Sequence, residues 1–202
     1  MNGGAVLLPQ THRIISEHVY DNIRSILGVN LNKRSLIYGS IKPDVAYNLV
    51  KLEHFKPQSF DFICDEINKL SDCKFEPNKE FIKFFSRHIG IVTHFISDFF
   101  CVPHNNRITY ENNFIDHIKY EHRLHQLFKT FDSKINVSKK HFNLNNGNSD
   151  SIKILVDALH LKYAQRGESL MNDLYSSIHA SSIVGLFIIY NALNNSIIVN
   201  AA

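Results

Sequence analysis

A chain of 202 residues with 44% apolar and 20% charged side chains has the make-up of a folded globular protein, long enough to bury one substantial core. Its formal net charge of +3 is a mild basic bias, far from the clustered Lys/Arg stripe that announces nucleic-acid binding, and charge alone decides nothing about partners. Cys64, Cys73 and Cys101 show no CxxC spacing, which argues against a disulfide framework and for reduced thiols.

The opening MNGGAVLLPQTHR has an apolar patch but no basic residue before it and no small-residue cleavage site, so no secretory signal is expected. Thr11 is a good N-cap for a helix over about 12–27, with Ile14, Ile15, Val19, Ile23 and Ile26 near a 3.6 period and Gly28 as its stop. Residues 28–43 read as a connector, and Pro43-Asp44 as the start of a second helix reaching about His54. Further helical periods run over about 59–70, 78–101, 108–131, 150–165 and 168–194, and no stretch alternates long enough to demand a sheet. The Asn-rich segment 132–149 reads as a surface loop. The expectation is one all-α domain over 1–202 of about seven helices, with a metal-binding portion at 11–125 and supporting C-terminal helices over 150–198. The longest apolar run, Ile183–Tyr190, is broken by Gly185 and is too short to span a bilayer, so a cytoplasmic protein without a transmembrane segment is expected.

One segment breaks the apolar pattern. "HFISDFFCVPH" places His94, Asp98 and His104 among residues that otherwise read as core. His94 and Asp98 stand four apart, on one helix face. "HIKYEH" repeats that spacing with His117 and Glu121. A single such pair more often supports a helix as a surface ion pair. Two pairs, one flanked by Ile91, Val92, Phe95, Ile96, Phe99 and Phe100, point elsewhere, because burying an unpaired carboxylate and imidazole costs several kcal/mol. A shared cation removes that cost, and zinc accepts these N and O donors. Upstream, His12, Asp44 and His54 add donors of the same kind.

The order His12, Asp44, His54, His94-x3-Asp98-x5-His104, His117-x3-Glu121 resembles the bacterial zinc-dependent phospholipase C family, whose helical fold is shared with the single-strand-specific zinc nucleases. "GIVTHFISDFFCVPHN" is similar to that family's central metal helix with its following proline and histidine, and "HIKYEHRL" to its histidine, tyrosine, glutamate segment. The resemblance covers residues 11 to about 125 and implies two or three zinc ions. Asp44, His54, His94 and Asp98 would hold one, His104, His117 and Glu121 a second, and His12 with a bridging Asp98 would help hold a third. In the family's secreted enzymes an N-terminal tryptophan completes the third position; this chain has no Trp.

The implied activity is phospholipase C-like hydrolysis of a phosphate ester by a metal-activated water, with Asp44 orienting the water or taking its proton. The substrate is then a phosphate ester, with a phospholipid as one candidate. Arg107 and Arg123 are candidate phosphate contacts. A nuclease or nucleotidase activity is the nearest enzymatic alternative, with nucleic acid not favoured by the modest charge, and a non-catalytic metal-bound scaffold is the alternative outside enzymes. His88, His122 and His125 are expected to be surface or structural residues, and the final third to brace the metal half, with an apolar end that could pair in a homodimer.

Overall fold

The computed structural model describes residues 8–46, 52–105, 114–142 and 150–200. Among the described residues the regular structure is entirely helical: α1 Pro9–Leu27, α2 Lys33–Val45, α3 Lys56–Asp72, α4 Lys79–Phe99, α5 Val102–Asn105, α6 Phe114–Thr130, α7 Ser151–Gln165 and α8 Leu170–Asn200, with a single 3-10 turn at Lys139–His141. The all-α expectation therefore holds.

α8 is the helix around which the others gather, packing against α1, α3, α4, α6 and α7. Its middle is apolar on every side, with Ile183, Val184, Leu186, Ile188 and Ile189 at 0% exposure. Small and polar residues let neighbours approach: a Cβ on Gly185 would press on Val19 of α1, Ser182 accepts from Asn22 Nδ2 at 2.9 Å, and Ser181 donates to the Thr93 carbonyl at 3.2 Å. By length and hydropathy Leu170–Ile197 would suffice to cross a membrane, which the shorter run Ile183–Tyr190 alone did not reveal. Since 83% of its apolar window is buried inside the fold, its place is that of a core helix.

α4 packs most extensively on α2, and two glycines set their distance. A Cβ on Gly39 would overlap the Arg87 carbonyl, and one on Gly90 the Leu36 carbonyl, so the two backbones touch where they cross. Asn78 caps α4 by accepting from the Phe81 N–H at 2.8 Å. Phe85, Ile89, Phe95, Ile96 and Phe99 then enter the core, each contributing about 1.5–3 kcal/mol on full burial.

Three features differ from the sequence reading. The helix expected over 44–54 does not start at Pro43-Asp44. The supposed connector instead holds α2, capped by Asn32 accepting from Ser35 N–H at 2.8 Å, and Asp44 sits in its last turn. The turn chemistry of the glycines and asparagines around α2 masked a helix whose Gly39 serves packing. Residues 47–51 and the expected helical stretch 108–113, as well as Arg107, lie outside the described residues. Thr11 is not the cap of α1, which starts at Pro9 after Leu8; its hydroxyl is taken up by His125 Nδ1 at 2.9 Å. Gly28 does end α1, at φ 69°, its N–H bonded to the Arg24 carbonyl. Finally, the segment after α6 is more than a surface loop, since Ile135, Val137 and Phe142 bury themselves against the helices.

Candidate metal centre

Five helices and one turn deliver the eight candidate residues: His12 from α1, Asp44 from α2, His54 from the turn before α3, His94 and Asp98 from α4, His104 from α5, and His117 and Glu121 from α6. They assemble into three groups whose donor atoms lie within 4.8 Å of one another: His12, His94 and Asp98; Asp44, His54 and His94; His104, His117 and Glu121. All eight are buried except Asp44, which is partly so.

Asp98 joins the first two groups. Its Oδ2 lies 2.7 Å from His54 Nδ1 and 3.3 Å from His94 Nε2, and its Oδ1 lies 3.4 Å from His12 Nε2. His94 Nε2 also stands 3.5 Å from Asp44 Oδ1 and 3.0 Å from His54 Nδ1. The grouping refines the one implied by the resemblance: His12 stacks on His94, ring centroids 3.8 Å apart, so it shares His94 as well as Asp98.

Proton counting decides which ring nitrogens carry lone pairs. His94 Nδ1 lies 2.7 Å from the Ser40 carbonyl, which can only accept, so Nδ1 carries the hydrogen and Nε2 is left as a lone pair facing the carboxylates. The Ser97 hydroxyl spends its hydrogen on the His94 carbonyl at 2.7 Å; it must therefore accept from His12 Nδ1 at 3.1 Å, and His12 Nε2 is likewise a lone pair. That nitrogen faces Asp98 Oδ1, and neither atom has a hydrogen-bond partner among the described residues. Two buried acceptors turned toward each other are reconciled only by a proton or a cation between them. Both oxygens of Asp44 are also buried without a hydrogen-bond partner among the described residues. This donor set, neutral imidazoles plus carboxylates with orphaned acceptor atoms, fits zinc.

The electrostatics agree. Burial, followed by the neighbouring ring of His54 for His12 and that of His12 for His94, pushes both imidazoles well below the usual histidine range and keeps them neutral. His54 is lowered by burial too. Burial drives Asp98 well above the carboxylate range, and burial with the charge of Asp98 lifts Asp44 to about 8. Without a cation, burial thus favours the protonated form of both acids. Glu121 behaves oppositely. Burial pushes it up, but hydrogen bonds from His104 Nε2 at 3.2 Å and His117 Nε2 at 2.8 Å outweigh burial and hold it below its usual value.

Residues that the sequence reading passed over hold the ligands in place. Ser40 and Ser97 set tautomers; neither stands out in sequence from other helical serines. Asp173 anchors the third group: its Oδ2 accepts from the Val102 N–H at the start of α5 and from the Tyr120 hydroxyl next to Glu121, both at 2.9 Å, and its Oδ1 from the Tyr163 hydroxyl at 2.8 Å. One carboxylate thus ties α5 and α6, which carry His104, His117 and Glu121, to α7 and α8. A signal existed, since Asp173 is the one acidic residue in the 31-residue α8. Arg123 and His122 are exposed and His88 is half-buried, and none of them belongs to a donor group.

An all-helical protein whose buried imidazoles and carboxylates converge from separate helices belongs to the class of helical metal-centre proteins. The family described as zinc dependent phospholipase C matches residues 11–170, and the chain belongs to that family. No curated protein and no solved structure matches it.

Proposed function

We propose that this protein is a zinc-dependent phosphoric ester hydrolase of phospholipase C type, acting on a phosphodiester such as that of a phospholipid, with two or three zinc ions held by His12, Asp44, His54, His94, Asp98, His104, His117 and Glu121. The observation that carries the proposal is the pair of facing acceptors, His12 Nε2 and Asp98 Oδ1, at the junction of donor groups drawn from different helices. Zinc supplies Lewis acidity there, making water acidic enough to attack near neutral pH and offsetting the charge that grows on phosphate oxygens.

The chain's own residues do the rest. His94 is aimed by the Ser40 carbonyl and His12 by Ser97, so both lone pairs point inward without a rotamer to freeze. Asp98, at 0% exposure, is the central acid that three imidazoles approach. Asp44 lies in the last turn of α2; it is assigned to orient the attacking water and to take its proton.

Elemental analysis of protein purified without added metal, followed by a panel of phosphodiesters and phosphomonoesters, tests the proposal. Zinc at two or more ions per chain with hydrolysis of a phospholipid-type diester is expected. Salt-sensitive cleavage of single-stranded nucleic acid in its place would move the activity to the nuclease branch, and zinc without turnover of any ester would leave a metal-bound scaffold.

A further inference from the structure

Away from the metal cluster, a cavity of about 210 Å³ opens between α7, α8 and the 3-10 turn, and it shares no residue with the eight. Lys162, Arg166, His141 and His179 line it, and among the described residues no aspartate or glutamate does. Lys162 and Arg166 are among the cations that have no ion pair among the described residues. The helix dipole at the end of α7 favours cations there, but it leaves the two side-chain heads at the cavity without a counter-ion.

The imidazoles are arranged around the same space. His179 stacks on Tyr175 with centroids 5.4 Å apart, and His141 meets it edge-on at 5.4 Å. The Arg166 guanidinium lies over the Tyr175 ring at 5.2 Å, which orients the charge without neutralising it. His141 Nδ1 is buried and has no hydrogen-bond partner among the described residues. Burial, then the charges of His141, Arg166 and Lys162, lower the His179 ring to about 4, so the cations at this cavity add to the effect of burial on the ring.

We infer that this cavity binds a phosphate monoester dianion, with Lys162 and Arg166 on the phosphate oxygens, His141 as a further hydrogen-bonding group, and the aromatic wall of Phe100 and Tyr175 against the organic part. Two cations match the two negative charges, and a guanidinium held by an aromatic ring matches a tetrahedral oxyanion in geometry. The volume exceeds what bare phosphate fills, which leaves room for a small organic group. The Phe100 and Tyr163 rings, centroids 5.6 Å apart, wall the cavity off, and the Tyr163 hydroxyl is engaged by Asp173 on the side of the metal cluster.

The full-length protein and its double variant Lys162→Gln/Arg166→Gln are compared by calorimetric titration with inorganic phosphate and with glycerol phosphate, while imidazole NMR signals of His141 and His179 are followed. Both substituted side chains are exposed, so folding and zinc content are expected to be unchanged. The expected result is saturable binding in wild type that shifts the His141 and His179 signals and weakens about tenfold or more in the double variant, since charge-assisted phosphate contacts are removed. Vesicles of phosphatidylcholine with and without phosphatidic acid separate the two sources of this chemistry. Cosedimentation that depends on phosphatidic acid and on the two cations assigns a lipid headgroup, and saturation by glycerol phosphate without cosedimentation assigns a soluble ester. Equal phosphate affinity in both proteins, or His141 and His179 signals that ignore phosphate, would overturn the inference.

Discussion

Replacing Asp98 with Asn should change the protein in opposite senses with and without zinc. The amide has the shape of the carboxylic acid that burial favours at Asp98 without a cation, and like it can donate a hydrogen to one of the facing imidazole lone pairs, without the cost of a charge in complete burial. The metal-free variant is therefore expected to melt at the same temperature as wild type or higher. With zinc at roughly a thousandfold its Kd, a ligand that binds only the native state adds about 4 kcal/mol. For a chain of this size about 2–4 °C of Tm accompanies each kcal/mol, so wild type should gain about 8–16 °C. Asp98→Asn removes the acid that links His12, His54 and His94, and most of that gain should vanish, together with activity. Differential scanning fluorimetry in chelator and across a zinc titration reads both arms. A variant that keeps the full zinc-dependent rise would refute the ligand assignment, and one that fails to fold in chelator would show Asp98 to be a structural residue of the metal-free fold.

Other outcomes follow from the same geometry. In chelator, the folded state holds the Asp44 proton up to about pH 8 while the unfolded chain releases it near pH 4, so the contribution of Asp44 is lost as pH rises through 8; the buried neutral histidines act oppositely, but only below their unfolded pKa of about 6.5. Metal-free Tm should therefore fall between about pH 6.5 and 8.5, less so in Asp44→Asn, and a flat wild-type profile would contradict this. Because ligating carboxylates must give up their protons, zinc binding at pH 7 should release about one to two protons, read as a calorimetric enthalpy that varies with buffer ionisation enthalpy. Gly90→Ala should cost about 1–3 kcal/mol by forcing α2 and α4 apart, and should weaken zinc by loosening the Ser40 to His94 bond; unchanged stability and zinc affinity would show that the crossing is slack. Asp173→Asn leaves one of three donors facing an amide N–H, costing about 1–3 kcal/mol, and should lower zinc occupancy at His104, His117 and Glu121 before the other groups, as measured by zinc stoichiometry.

Much of this protein was legible along the chain because the donors obey local rules. His94 with Asp98 and His117 with Glu121 are pairs on one helix face, and helical period alone places each pair together whatever the surroundings. The all-α class followed for the same reason, since helices such as α1, α3 and α4 carry their own apolar stripes. The second helix was misplaced because Gly39 and Pro43 look like turn residues; only the close crossing with α4 shows that Gly39 makes room for a neighbouring backbone.

What tertiary structure alone decided were relations between distant residues. Sequence names His12 and Asp98 as donors, but their lone pairs oppose each other because α1 and α4 happen to meet there, and the tautomers depend on Ser40 and Ser97 hydrogen bonds that span helices or turns. The role of Asp173 is of the same kind, since a carboxylate gains a function only from the three donors that packing delivers to it. Local periodicity is an intrinsic property of a segment and can be read from it; the protonation state and reach of a buried group belong to its neighbours, which the order of residues does not state.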